Sequence, residues 1–331
     1  MTARVLITTA YLEPGGEVDR LLADAGCETV FRRAADRKAR GERLVDVVGE
    51  VDAIVAGTDS FDADVIDAAH RLTVIGRCGV GYDNIDVEAA TRQGVAVTFT
   101  PGVNRSSVAE LVIGQLVNGA RLLPQNIAAI RAGAWDQPSG TELGGSVLGI
   151  AGLGSIGKAV AVIARAMGMT VMAFDPHFDS SFAARHGIEE ATLDQVLAAS
   201  DFLTLHMALD ETTRNLIDTP RIAAMKPGAF LVNTARGGIV DESALAVAIR
   251  EGRLSGAALD VLEEEPLAAD SPLRGLDRVL ITAHIGAATH QARARSSLMA
   301  ARQVIDHLGG NAEPDNLVNP AYRTAATGVE S

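Results

Sequence analysis

Cysteine is scarce: Cys27 and Cys78 are the only two in 331 residues. Two thiols without close spacing build neither a disulfide framework nor a thiolate metal site, and they point to a reducing, cytoplasmic setting. Aromatic residues are thin at 4%, with one Trp. Positive charge is short as well, 29 Lys and Arg facing 42 Asp and Glu for a net charge of −13. Such a balance argues against a nucleic-acid or anionic-membrane partner, since phosphate binding needs clustered Lys and Arg. It leaves room for one local anion pocket. No apolar run reaches membrane-spanning length, and the N-terminal MTARVLITTAYLEPGGE is too interrupted for a signal peptide.

What is present is aliphatic. Hydrophobic residues make up 47% and charged residues 21%, and the length suits two domains. Ala, Val, Leu and Gly dominate, as expected of helices packed on a buried parallel sheet. Short β-type runs alternate with helical patterns, the mark of βαβ units. The first hundred residues predict strands over 5–9, 53–57, 72–77 and 96–100, with helices over 17–25, 63–70 and 86–93. Asp86 is a good N-cap and Gly94 a good stop. A long helix is expected from Ser106 and Ser107 through Leu123, Ser107 and Glu110 fitting a capping box, and then a loop over 133–145 around Trp135. A second series predicts strands over 147–151, 170–174, 201–206, 229–233, 257–260 and 279–283. A last helix is expected over 291–308, before a Gly/Asn/Pro-rich tail.

The strongest local signal is SVLGIAGLGSIGKAVAVIARAMGMTVMAFD. An apolar strand runs into Gly152, Gly154 and Gly157 and then a helix. Gly152 permits the tight turn, Gly154 lets the backbone approach a pyrophosphate, and Gly157 allows close helix–strand packing. The N–H groups near Ser155 and Ile156 then face the phosphates. The following strand ends at Asp175, which can accept hydrogen bonds from a ribose and repel a 2′-phosphate, and no Arg stands beside it. NAD is therefore favoured over NADP.

Three further segments end predicted strands, where parallel sheets present their ligand sites. MKPGAFLVNTARGGIVDESAL carries Arg236, GAALDVLEEEPL carries Asp260 and Glu265, and RVLITAHIGAATH carries His284. Oxidising a hydroxyl requires proton removal as hydride leaves, which suits His284. Glu265 behind the imidazole would fix its orientation and favour its protonated form. Arg236 would hold a carboxylate through planar donors. Taken alone, Arg236 reads equally as a surface arginine and the Glu run before Pro266 as a solvated loop; their joint placement selects the catalytic reading. Five of the other histidines read as packing or solvated residues. His206 ends a strand and is open between packing and lining the cofactor site.

The segments GRCGVGYDNID, TPGVNRSSVAEL, GLGSIGKAVA, MKPGAFLVNTARGGIVD, GAALDVLEEEP and HIGAAT closely resemble the D-isomer-specific 2-hydroxyacid dehydrogenase family, above all its phosphoglycerate dehydrogenase-like branch. They cover most of 72–289. The resemblance implies Arg236, Glu265 and His284 as the catalytic set, NAD as cofactor and no metal. It implies an α/β fold of two Rossmann-like or flavodoxin-like doubly wound parallel-sheet domains with a cleft between them. Residues 1–100 plus 288–331 would form a discontinuous substrate domain and 101–287 the cofactor domain, with hinges at 101–104 and 286–289. Backbone N–H groups of Gly79, Val80 and Gly81 would cradle the substrate carboxylate, with Asn104 nearby; alone, that turn reads as a chain reversal. Thr213, Thr234, Ala235, Asp260 and Gly286 would lie on the cofactor side. A homodimer is implied through the helix over 104–123 and the Trp135 loop.

The implied reaction is hydride transfer between NAD and C2 of a small D-2-hydroxy/2-oxo acid, with 3-phosphoglycerate favoured and glyoxylate or hydroxypyruvate the rival. An NAD-sensing corepressor or scaffold is the alternative of another class, and the intact Arg–Glu–His set argues against it. The sequence departs from the family at Ala208, Asp210 and His290. It also departs in AIVAGTDSF, where phosphoglycerate enzymes often carry an Arg for the phosphate. Arg77 is retained, but no second phosphate-binding cation is evident. The chain also reads as lacking the regulatory domain that some phosphoglycerate enzymes append.

Overall fold

The structure, a computed structural model, describes residues 2–310 and 316–323, so parts of the expected tail, 311–315 and 324–331, lie outside the described residues. The chain divides into two compact units, Met1–Asn104 with His290–Ser331, and Arg105–Thr289.

The first unit holds β1 (Arg4–Ile7), β2 (Glu28–Phe31), β3 (Ala53–Ala56), β4 (Val74–Arg77) and β5 (Ala96–Thr98) in the parallel order β2-β1-β3-β4-β5. Alternate residues of its strands feed two cores. Leu6 and Ile54 join one face; Val5, Ile7, Ala53 and Val55 join the other, which the helix His290–Leu308 covers with Ala300, Ala301 and Val304. That helix lies so close to β4 that a Cβ added at Gly76 would fall 2.8 Å from Val304 Cγ2.

The second unit holds β6 (Val147–Ala151), β7 (Thr170–Phe174), β8 (Ile188–Glu190), β9 (Phe202–Leu205), β10 (Phe230–Asn233), β11 (Gly256–Leu259) and β12 (Val279–Ile281). Their parallel order is β12-β11-β10-β9-β6-β7-β8, so the order reverses between β6 and β9. In open α/β sheets such switch points form crevices at the strands' C-terminal ends. Both faces are buried, which is why the interior strands are continuous aliphatic runs.

Four differences from the sequence reading have physical reasons. Strands β2 and β8 were not expected; each lies at a sheet edge and carries exposed or half-exposed residues, so neither reads as an aliphatic run. The charged helix Ala34–Arg40 was not expected either, having no apolar face. The long helix runs Arg105–Arg121 and breaks at Leu122 (φ 53°) before a second helix, Leu123–Arg131. Ser107 is therefore inside the helix rather than capping it, and its hydroxyl pairs with Thr289 Oγ1 at 2.7 Å. Among the described residues no helix is long and apolar enough to cross a membrane.

Candidate active site

Strand β6 ends in a turn that only glycine can make. Gly152 has φ 100°, and an added Cβ there would lie 2.7 Å from the carbonyl carbon of His206. A Cβ on Gly157 would fall 2.1 Å from Gly152 O, so the helix Ser155–Ala166 sits directly against the turn. Gly154 differs: a Cβ there meets nothing within 4 Å. It is the N-cap and supplies no side-chain cap, which leaves the first-turn N–H groups of Ser155 and Ile156 without an intrahelical acceptor. Uncapped donors beside open space fit a dinucleotide pyrophosphate.

Asp175 closes this loop. Its Oδ2 accepts from Leu153 N at 2.6 Å and its Oδ1 from His177 N at 2.7 Å. The carboxylate thus braces the glycine turn, a role the sequence did not reveal. His206 N donates to Ala151 O at 2.7 Å, and its Nε2 is 3.0 Å from Thr204 Oγ1. Burial pushes its pKa down to about 3, so the ring is neutral. Thr213 turns inward: its hydroxyl donates to Ala208 O at 2.7 Å and accepts from Asp210 N at 2.8 Å.

Strands β10, β11 and β12 are neighbours, and each delivers one candidate from its C-terminal end. Asn233, buried at the end of β10, accepts from Ala235 N at 3.0 Å and donates to Arg236 O at 2.8 Å, which folds the chain back and presents Arg236. Arg236 Nη1 donates to Ala235 O at 2.7 Å. A Cβ at Gly237 would fall 1.9 Å from Leu262 C, so the Arg236 loop is pressed onto the loop that follows β11. Thr234 Oγ1 is buried without a hydrogen-bond partner among the described residues. A buried orphan hydroxyl beside a strand end fits a polar cofactor group.

Asp260 is the brace of the set. Its carboxylate is buried and accepts from Thr282 Oγ1 at 2.6 Å, Ile285 N at 2.8 Å and Gly286 N at 2.7 Å. Its carbonyl accepts from His284 N at 2.9 Å. These bonds hold His284 at φ 51°, a conformation unusual for a residue with a side chain. Glu265 Oε1 accepts from Leu262 N at 3.1 Å, and Oε2 lies 3.0 Å from His284 Nδ1. The imidazole is 52% exposed, and Nε2 makes no hydrogen bond among the described residues.

In the other unit, Arg77 ends β4. Its Nε donates to Asn84 Oδ1 at 3.3 Å and its Nη1 to Cys78 O. Gly79 N donates to Arg77 O at 2.9 Å, so this N–H is taken, and its carbonyl accepts from Thr100 N at 3.0 Å, whereas Val80 and Gly81 donate no N–H bond among the described residues. Asn104 is the last residue before the helix Arg105–Arg121. Asn84, which clamps Arg77 and also donates to Asp59 O at 2.6 Å, escaped the sequence reading.

Residues 113–286 match the family model described as D-isomer specific 2-hydroxyacid dehydrogenase, NAD binding domain. The chain is 42% identical over 282 residues to a D-3-phosphoglycerate dehydrogenase of Methanocaldococcus jannaschii, covering 84% of this chain and 53% of that one. It thus spans about half the length of the curated relatives it matches. Among solved structures it is similar to the TT0316 protein of Thermus thermophilus, with TM-score 0.83 and 36% identity over 95% of this chain and 99% of that one. A glyoxylate reductase of Paecilomyes thermophila gives TM-score 0.80 and 29% identity over 96% and 98%.

Proposed function

The chain belongs to the D-isomer-specific 2-hydroxyacid dehydrogenase family, and from that membership we propose an NAD-dependent dehydrogenase that interconverts 3-phosphoglycerate and 3-phosphohydroxypyruvate. The observation that carries the reading is the 3.0 Å pairing of His284 Nδ1 with Glu265 Oε2 on a half-exposed imidazole. With Nδ1–H held by a carboxylate, Nε2 takes the proton of a substrate hydroxyl and returns it in the reverse direction. Glu265 keeps the ring oriented. Arg236 holds the substrate carboxylate and polarises the oxygen on C2. The 152–157 turn, with the free N–H groups of Ser155 and Ile156, would hold a nicotinamide dinucleotide, which would supply or accept the hydride. Asp175, with no arginine beside it, supports NAD over NADP. The N–H groups of Val80 and Gly81 support a carboxylate cradle, with Arg77 and Asn104 as further substrate residues and Gly79 shaping the turn rather than donating, since its N–H is held by Arg77 O.

Glyoxylate or hydroxypyruvate reduction is a second reading, supported by the likeness to a glyoxylate reductase and by the absence of an arginine from the segment 53–61, AIVAGTDSF. The free cysteines support a cytoplasmic protein. A homodimer is supported by the outer edge of β12, which no strand covers among the described residues. Beside it lies a groove of about 650 Å³ lined in part by Leu111, Gln115, Ala128 and Leu280. Ile127, Ile130 and Trp135 are exposed in the same unit.

The test is oxidation of NADH, with NADPH in parallel, against 3-phosphohydroxypyruvate, hydroxypyruvate and glyoxylate. A higher kcat/KM for the phosphorylated acid supports the first reading, and preference for an unphosphorylated acid selects the second. NADH binding without turnover of any acid would replace both with a binding protein.

A further inference from the structure

Glu242 opens the helix Glu242–Arg250, a short way along the chain from Arg236. It does not cap that helix; Asp241 does, its carboxylate accepting from Ala244 N at 2.9 Å. The Glu242 carboxylate turns instead to another loop of the second unit, where its Oε1 accepts from Glu263 N at 2.7 Å. Glu263 lies in the loop after β11, which also carries Glu265. The Leu262–Glu263 peptide is gripped from a second side, since a Cβ added at Gly237 would collide with Leu262 C, Leu262 O and Glu263 N. Just before that peptide, Leu262 N donates to Glu265 Oε1 at 3.1 Å, and Glu265 Oε2 lies 3.0 Å from His284 Nδ1.

The contacts form one line of support. The segment that presents Arg236 reaches the Glu265 loop twice, through the Gly237 backbone and through the Glu242 carboxylate. Each hydrogen bond along the line has a donor and an acceptor of the right kind, Glu263 N to Glu242 and Leu262 N to Glu265. A carboxylate that accepts from a backbone N–H makes a charge-assisted bond, stronger than a neutral one. Glu242 keeps this bond against its surroundings. Burial raises its pKa, the Glu263 N–H opposes the rise, and the Glu263 charge adds to it. Half-burial beside a like charge is no place for an acid that merely keeps a surface wet.

We propose that Glu242 is a positioning residue for the acid–base pair: by holding the Leu262–Glu263 peptide it sets Glu265 at hydrogen-bond distance from His284 Nδ1. It touches no reacting atom and passes no proton. Its effect on turnover runs wholly through Glu265, and it ties the placement of Glu265 to that of Arg236, so that the two loops move as one piece. This deepens the functional reading above and rests on it, because it takes His284 as the acid–base group.

The test is a double-mutant cycle on full chains: wild type, Glu242→Ala, Glu265→Gln and the two together, with Glu242→Gln as the conservative variant. Kinetics use whichever of 3-phosphohydroxypyruvate, hydroxypyruvate and glyoxylate the wild type prefers. Glu242→Ala is expected to lower kcat by roughly 10- to 100-fold, the cost of a displaced catalytic group, and to leave the KM for NADH within about twofold. Glu242→Gln keeps an acceptor oxygen for Glu263 N and is expected to recover most of the loss. In the Glu265→Gln background, Glu242→Ala should cost no more than about twofold, because nothing remains to be positioned. A full further loss in that background means that Glu242 acts elsewhere and overturns the proposal, as does an unchanged kcat in Glu242→Ala. The arrangement is also read without turnover, from the imidazole ¹⁵N shifts of His284, assigned by their loss in His284→Ala. Glu242→Ala is expected to move the Nδ1 shift in the same direction as Glu265→Gln. If no acid is turned over and the shifts still move together, the positioning role stands and the dehydrogenase reading falls. A wild-type Nδ1 shift in Glu242→Ala refutes the role itself.

Discussion

At the scale of single residues, two histidines are given opposite tasks by their surroundings. His284 is half-exposed, with one nitrogen held by Glu265 and the other turned to the medium, so it is placed to exchange protons. His284→Ala should lower kcat by roughly 10²–10⁴-fold, the usual contribution of a positioned acid–base group. The dissociation constant for NADH, read by fluorescence titration, should change little, and turnover surviving in the variant would remove His284 from its role. His206 is half-buried, and desolvation lowers its pKa to about 3, whereas an unperturbed imidazole titrates at 6.5. Between those values the unfolded chain binds a proton that the native protein refuses, so stability falls as pH drops through that window, by up to about 1.4 kcal/mol per unit. Above pH 7 the effect vanishes. Urea unfolding at pH 7 and pH 5 should therefore show a larger loss for wild type than for His206→Gln, and equal losses would show that His206 is no more buried than it is in the unfolded chain.

At the scale of elements, what could be read from the chain depended on where each element's partners lie. Interior strands such as β6 and β10 are legible because burial on both faces makes them uniformly aliphatic. Strands β2 and β8 are not, since an edge needs no such uniformity. Ser107 satisfies a local capping rule, yet its actual partner is Thr289, which no window around Ser107 contains. The same holds at the candidate site. Arg236, Glu265 and His284 carry recognisable motifs, while the bracing done by Asn233, Asp260 and Asn84 depends on contacts that only the folded sheet creates. Gly237 is the joint between two of the site's loops, and Gly237→Ala should force the Arg236 loop away from Leu262. The expected result is a kcat lowered by an order of magnitude or more, with a thermal midpoint down by several degrees, as for roughly 1–3 kcal/mol of overpacking. An unchanged kcat would mean that the loop tolerates the shift.

At the scale of the whole molecule, the second unit leaves large apolar side chains in water. Ile127 is 50% and Trp135 82% exposed. If they meet a second copy of the chain, Ile127→Asp should convert a dimer into a monomer in sedimentation equilibrium at micromolar concentration. A wild-type protein that is already monomeric there would refute the assignment.

The first unit has one further property: it is built from both ends of the described chain. Its core residues Val5, Ile7 and Val74 are covered by Ala300, Ala301 and Val304, and Asn319 accepts from Val97 N and donates to Val95 O. The intervening unit, Arg105–Thr289, is continuous. On the ribosome, domains ordinarily fold in the order in which they emerge. Here the segment synthesised first must wait, one face of its sheet covered only in part by the helix Glu17–Asp24, until the His290–Leu308 helix leaves the exit tunnel. The middle of the message finishes its fold before the beginning does, and the first sheet with one face partly uncovered is the stage of biogenesis most in need of a chaperone.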